Sequence, residues 1–138
     1  MSREKDKFLI RVYYQDTDAG GVVYHSVYLN FFERGRTEWL RQQGINLREL
    51  NKIYGITFIV RKLDLRYRKP AVLDDLLQVE TMVTKIGRFQ MTILQCIKRG
   101  GESLVEANIN LGLVSSDGIK PRVMPEVIRN ALVSSNQL

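Results

Sequence analysis

The chain has 138 residues, 44% hydrophobic and 26% charged, which fits one globular domain over 1–138 and excludes a disordered or fibrous polymer. No apolar run approaches the ~20 residues of a bilayer-spanning helix, so no integral membrane association is expected, and the charged opening MSREKDK lacks the apolar centre of a secretion signal. A single cysteine, Cys96, allows neither an internal disulfide nor a cysteine metal framework, which points to a reducing, cytoplasmic setting.

The formal net charge of +6 favours an anionic partner. Its basic residues gather at Arg61 to Lys69 and around Arg88, Lys98 and Arg99, with no polybasic tail. Nucleic acid, an anionic membrane surface, a phosphorylated cofactor and an acidic protein all suit that balance, and charge alone does not choose among them. Nucleic acid is the weakest of these, because no strand interleaves aromatic and basic residues in the manner of a nucleic-acid reader.

Phe8 to Tyr14 (FLIRVYY) is rich in β-branched and aromatic residues and reads as a first strand. Gln15 to Gly21 then collects Asp, Thr and Gly, which form turns through side-chain bonds to backbone and through positive φ. From His25 the period becomes helical: Tyr28, Phe32, Gly35 and Trp39 recur at three- and four-residue steps, widened by Val27 and Phe31. His25 and Ser26 are the candidate first residues and Gly44 a stop. A glycine on the apolar face costs ~1 kcal/mol against alanine, so Gly35 predicts close approach of the helix to a sheet.

Asn46 to Tyr54 predicts a short second helix ended by Gly55. Ile56 to Arg68 predicts a long strand with a defect. Phe58 and Val60 share one parity and Leu63, Leu65 and Tyr67 the other, so a β-bulge near Arg61-Lys62 is needed to keep one apolar face. Pro70 stops that strand. Leu77 to Ile86 and Phe89 to Lys98 alternate around a Gly87-Arg88 turn, and Arg99-Gly100-Gly101 signals a hairpin into a fifth strand through Val105 to Leu113. Pro125 to Leu132 closes with a short helix. The pattern is α+β: an antiparallel sheet of about five strands wrapped around one long helix, with open edges that invite a second subunit.

The chemistry concentrates in YYQDTDAGGVVYHSVYLNFFERGRTEW, Tyr13 to Trp39. It has no phosphate-binding glycine loop, no zinc-binding His-Glu-x-x-His and no Gly-x-Ser-x-Gly elbow. What remains is a pair of carboxylates, Asp16 and Asp18, and the only histidine, His25, beside a helix start. A carboxylate can attack a thioester or deprotonate a water that does so. Unsatisfied helix-start amides can stabilise the resulting oxyanion. Residue type alone leaves the bland alternative standing, since aspartates in turns more often bond local backbone and a histidine near a helix start is more often a cap.

The same run closely resembles the hotdog-fold thioesterases of the 4-hydroxybenzoyl-CoA thioesterase family, most of all their Tol-Pal-associated acyl-CoA thioesterase branch. Its specific part is Thr17-Asp18 followed by Gly21-Val22-Val23-Tyr24-His25, with weaker likeness through FIVRK, PAVLDD and KPRVMP. The resemblance implies a hotdog fold that hydrolyses acyl-CoA, with a short-chain or small acyl group. It implies Asp18 as catalytic carboxylate, His25 as helper at the helix start, and Tyr14 in support. Gln15 stands where many relatives carry Glu. It further implies a homodimer or homotetramer with sites at subunit interfaces, and no metal or organic cofactor. Arg61, Lys62 and Arg88 are the candidate contacts for CoA phosphates. Two rivals accompany it: a binding module for acyl carrier protein or envelope-associated proteins, and a related hotdog dehydratase.

Overall fold

A computed structural model of the chain describes residues 7–135; residues 1–6 of the charged opening, and 136–138, lie outside it. The strands are β1 (Lys7–Arg11), β2 (Ile56–Tyr67), β3 (Leu76–Ile86), β4 (Gln90–Arg99) and β5 (Glu102–Ser115). They form one sheet in the order β1-β3-β4-β5-β2, every pair antiparallel. The helices are α1 (Val27–Gln42), α2 (Leu47–Tyr54) and α3 (Glu126–Ser135). The five strands, the long helix and the α+β class follow the sequence reading.

Helix α1 crosses β1, β3 and β4 and buries Tyr28, Phe31, Phe32, Gly35, Trp39 and Leu40. The stripe read from the sequence is therefore core. Gly35 is the closest point of approach: a Cβ there would stand 2.4 Å from Val79 Cγ1 and 2.9 Å from Val79 Cβ. One turn away, the buried Gln95 Nε2 donates to Phe32 O at 3.0 Å and to Thr81 Oγ1 at 2.9 Å. The sheet thus grips the helix through one dry contact and one polar one. Asn46 caps α2 by accepting from the Arg48 and Glu49 amides, and Gly55 ends it in a left-handed conformation.

Two boundaries on either side of the Asp-rich turn shift. The first strand ends at Arg11 rather than Tyr14, because Asp16 Oδ2 takes the Tyr13 N–H at 2.8 Å and folds Tyr14–Asp16 into a 3₁₀ turn. Helix α1 begins at Val27 rather than His25, with Ser26 in the cap position and no cap bond from its side chain.

The bulge in β2 is where the parity switch put it. Val60 pairs with Leu111 and Lys62 with Asn110, which leaves Arg61 unpaired between them. Phe58, Val60, Leu63, Leu65 and Tyr67 consequently share the concave face of the sheet. Helix α1 packs on the other strands, so that row is only partly covered: Val60 is 48% exposed, Leu63 40% and Tyr67 49%. One of the two edge strands of the sheet, β2, therefore carries an uncovered apolar row.

Candidate active site

The Asp-rich turn is a small hairpin laid against a second loop. Thr17 and Val23 form an isolated antiparallel bridge, Asp18 N–H donates to Val22 O at 2.9 Å, and Gly21 N–H to Asp18 O at 3.0 Å. Gly21 has φ +83°, which closes the tip without cost only for glycine. The hairpin is anchored to residues 71–72 by the Val22–Val72 bridge and by Val23 N–H donating to Ala71 O at 2.9 Å. Arg99 in turn holds that second loop, with Nη1 2.7 Å from Asp75 Oδ2.

The two aspartates have different employments. Asp16 is tied at both ends, its carboxylate on Tyr13 N–H and its carbonyl accepting from Tyr24 N–H at 3.0 Å. Asp18 is exposed at the head of the hairpin. Its Oδ1 accepts from Gly20 N–H at 2.8 Å, and its Oδ2 has no hydrogen-bond partner among the described residues. A side chain at position 20 would crowd that carboxylate, with a Cβ 3.3 Å from Asp18 Oδ1.

The helix start supplies donors. Val27 N–H is taken by Tyr24 O at 2.9 Å and Leu29 N–H by Ser26 O at 3.2 Å, whereas the N–H groups of His25 and Ser26 have no acceptor among the described residues. Peptide planarity fixes one direction: the Tyr24 carbonyl points into the helix, so the His25 N–H points away from it. The His25 ring lies exposed beside Tyr24, centroids 4.4 Å apart. Together these groups offer a carboxylate with one oxygen uncommitted and two donors at the positive end of a helix dipole, a combination suited to acyl transfer.

Other chemistry is poorly placed. Burial pushes the Cys96 thiol up, and its sulfur sits 3.2 Å from Ser103 Oγ on the far side of the sheet, away from His25. Among the described residues, no group of three or more His, Cys, Asp or Glu is positioned to hold a metal ion.

The sequence pattern of the Thioesterase superfamily matches residues 20–106. The chain is 40% identical over 124 residues to the acyl-CoA thioesterase YbgC of Haemophilus influenzae, covering 90% of this chain and 91% of that one. It is 40% identical over 120 residues to the acyl-CoA thioester hydrolase YbgC of Escherichia coli O157:H7, covering 86% and 89%. Among solved structures, a probable thioesterase from Bartonella henselae superposes with a TM-score of 0.83 at 39% identity, over 86% of this chain and 98% of its own. The chain belongs to the thioesterase superfamily. Its helix-wrapping sheet is the hotdog fold that the motif implied.

Within this thioesterase fold, the expected site residues are only partly gathered. Asp18 and His25 flank one hairpin. Tyr14 lies in the preceding 3₁₀ turn with its side chain 82% exposed, its carbonyl accepting from Thr17 N–H and Oγ1. Arg61 and Lys62 stand on the outer face of the sheet, lining an open depression of about 580 Å³ with Gln90, Thr92 and Asn110. Arg61 is six positions along β2 from Tyr67, the residue of that strand that reaches His25, so roughly 20 Å of strand lies between Arg61 and that contact. Arg88 sits in the β3–β4 turn, its guanidinium 5.3 Å over the Phe89 ring. Near the 70–75 loop, Arg68 pairs with Glu106, Lys69 with Glu102, and Arg99 with Asp75 and Glu102, while Arg11 donates to Asp74 O at 2.7 Å. Arg61 and Lys62 have no carboxylate partner among the described residues.

Sequence reading missed the two tyrosines that brace the site. Tyr28 is buried in α1, its hydroxyl accepting from Ala71 N–H at 3.0 Å, and burial pushes that phenol up. Tyr67 reaches back from β2, donating to His25 O at 3.0 Å while its ring meets Tyr28 edge-on at 5.7 Å. Both read as apolar face positions in one dimension, and no local signal marks a partner 42 or 43 residues away.

Proposed function

We propose that this chain hydrolyses acyl-CoA thioesters to the free acid and CoA, with Asp18 as the carboxylate that starts the reaction. The carrying observation is that Asp18 Oδ2 and, just past the same hairpin, the His25 and Ser26 amides have no hydrogen-bond partner among the described residues, in a superfamily member 40% identical to acyl-CoA thioesterases. The thioester carbonyl oxygen points at the helix start, and charge developing on it is stabilised by donors that need no reorganisation. Asp18 attacks the carbonyl carbon to give a mixed anhydride that water then opens, or takes a proton from the water that attacks. In both routes the carbon–sulfur bond breaks and CoA leaves as a thiolate. Single turnover in ¹⁸O-water and trapping with hydroxylamine separate them: label in the Asp18 carboxylate or a trapped acyl group on it marks direct attack, since an anhydride opened at its acyl carbon leaves Asp18 unlabelled, and neither signal marks the activated water.

The uncovered apolar row of β2 and its unpaired edge support a homodimer, which a monomeric mass by light scattering would contradict. Arg61, which donates to Gln90 Oε1 at 2.8 Å, and Lys62 have no carboxylate partner among the described residues and suit the CoA phosphates of a substrate shared between subunits. Charge-removing variants there should raise KM and leave kcat unchanged. Asp18→Asn decides the central reading: a folded variant with near-normal thiol release would end it.

A further inference from the structure

We infer that Tyr67 is a positioning residue for the Ser26 oxyanion donor, holding the peptide unit between His25 and Ser26 from across the chain. The inference rests on the reading of Asp18 and the helix-start amides given above. Three observations carry it. Tyr67 Oη donates to His25 O at 3.0 Å, and that carbonyl belongs to the same planar unit as the Ser26 N–H. The N–H of a trans peptide points opposite to its carbonyl, so fixing His25 O toward β2 directs Ser26 N–H away from β2. Neither Ser26 N–H nor His25 N–H is spent on an acceptor among the described residues, so nothing else on the donor side sets this plane.

The second observation is that helix packing does not do the job instead. His25 and Ser26 precede the first helical residue, Val27, and Ser26 makes no side-chain cap bond that would lock the entry into α1. The plane behind them, Tyr24–His25, is fixed by Tyr24 O accepting from Val27 N–H. The plane ahead has, among the described residues, only Tyr67 on its carbonyl. Thirdly, Tyr67 is itself held: its ring packs edge-on against Tyr28, whose hydroxyl is pinned by Ala71 N–H in the core. A rigid ring carrying one hydroxyl onto one carbonyl is a geometric device and not a general filler of space.

Three variants of the full-length protein test this. Tyr67→Phe keeps the ring and deletes the donor. It should lower kcat about 10-fold, the effect of losing one orienting hydrogen bond of ordinary net strength, with KM and the thermal midpoint nearly unchanged. Incorporating 4-aminophenylalanine at position 67, which restores an N–H donor on the same ring, should recover most of that rate. In the Asp18→Asn background, where bound acyl-CoA persists, the isotope-edited carbonyl stretch of the thioester should lose part of its red shift when Tyr67→Phe is added. A kcat within two-fold of the parent would overturn the inference. So would a rate loss that the amino ring does not rescue, or that leaves the carbonyl band in place. Failure of the Asp18 reading has a different signature, turnover persisting in Asp18→Asn itself.

Discussion

The middle and the start of the buried face of α1 are built on opposite terms. At Gly35 the helix is pressed so close to β3 that there is no space for one methyl group. At His25 and Ser26 the same helix begins with donors that nothing in the described chain occupies. The middle gains stability from contact, and the start withholds contact from itself. A helix that spends its packing in the middle can leave its first amides unsatisfied, because the sheet, and not the cap, holds it in place.

That contrast can be broken from either side. The largest effect should come from the start: Asp18→Asn should cost ~10²-fold or more in thiol release with an unchanged melting curve. The next should come from the middle. Gly35→Ala gains ~1 kcal/mol of helix propensity but drives a methyl into Val79, so it should destabilise by on the order of 1–3 kcal/mol through overpacking. Denaturant unfolding reads it, and pairing it with Val79→Ala should return most of the loss; if Gly35→Ala alone is neutral, the close approach is not a constraint. Smaller again, Asn46→Ala removes the α2 cap and should cost ~1 kcal/mol while activity per folded molecule stays the same.

The smallest concerns acid. Burial works against ionisation of Asp75, yet the Val72 N–H and the Arg99 guanidinium outweigh it and hold the carboxyl below the usual range. A depressed carboxylate contributes stability above its unfolded pKa and loses it as pH falls through the folded value. Acid unfolding of Asp75→Asn should therefore be shallower than that of the parent below the ordinary carboxylate range. Parallel curves would show that the Arg99–Asp75 pair does not steady the second loop.

Much of this was legible in one dimension. The break in parity between Val60 and Leu63 is a property of the string, and β2 shows the bulge at Arg61 that it demands. Gly35 among large apolar residues likewise has few explanations besides close approach. The Tyr13–Tyr14 pair misled, because aromatic residues favour strands while the bond from Tyr13 N–H to Asp16 is a local competitor that composition does not weigh. Residue type could not separate Asp16 from Asp18 either; backbone partners did. Tyr67 was out of reach altogether, since its role exists only when β2 is folded back over the start of α1.

The anchoring of the hairpin on Ala71 and Val72 carries a kinetic consequence. Tyr28 and Ala71 are 43 positions apart, and the His25 carbonyl and the hairpin depend on the last residue of β2 and on the loop after it, respectively. Loop closure of that length precedes any reward from the contacts it makes. On refolding, α1 should gain its circular dichroism early and hydrolytic activity should appear only in the last phase. Turnover is thus a clock for the final docking event, and variants that loosen the 71–72 anchor should delay activity more than they delay helix.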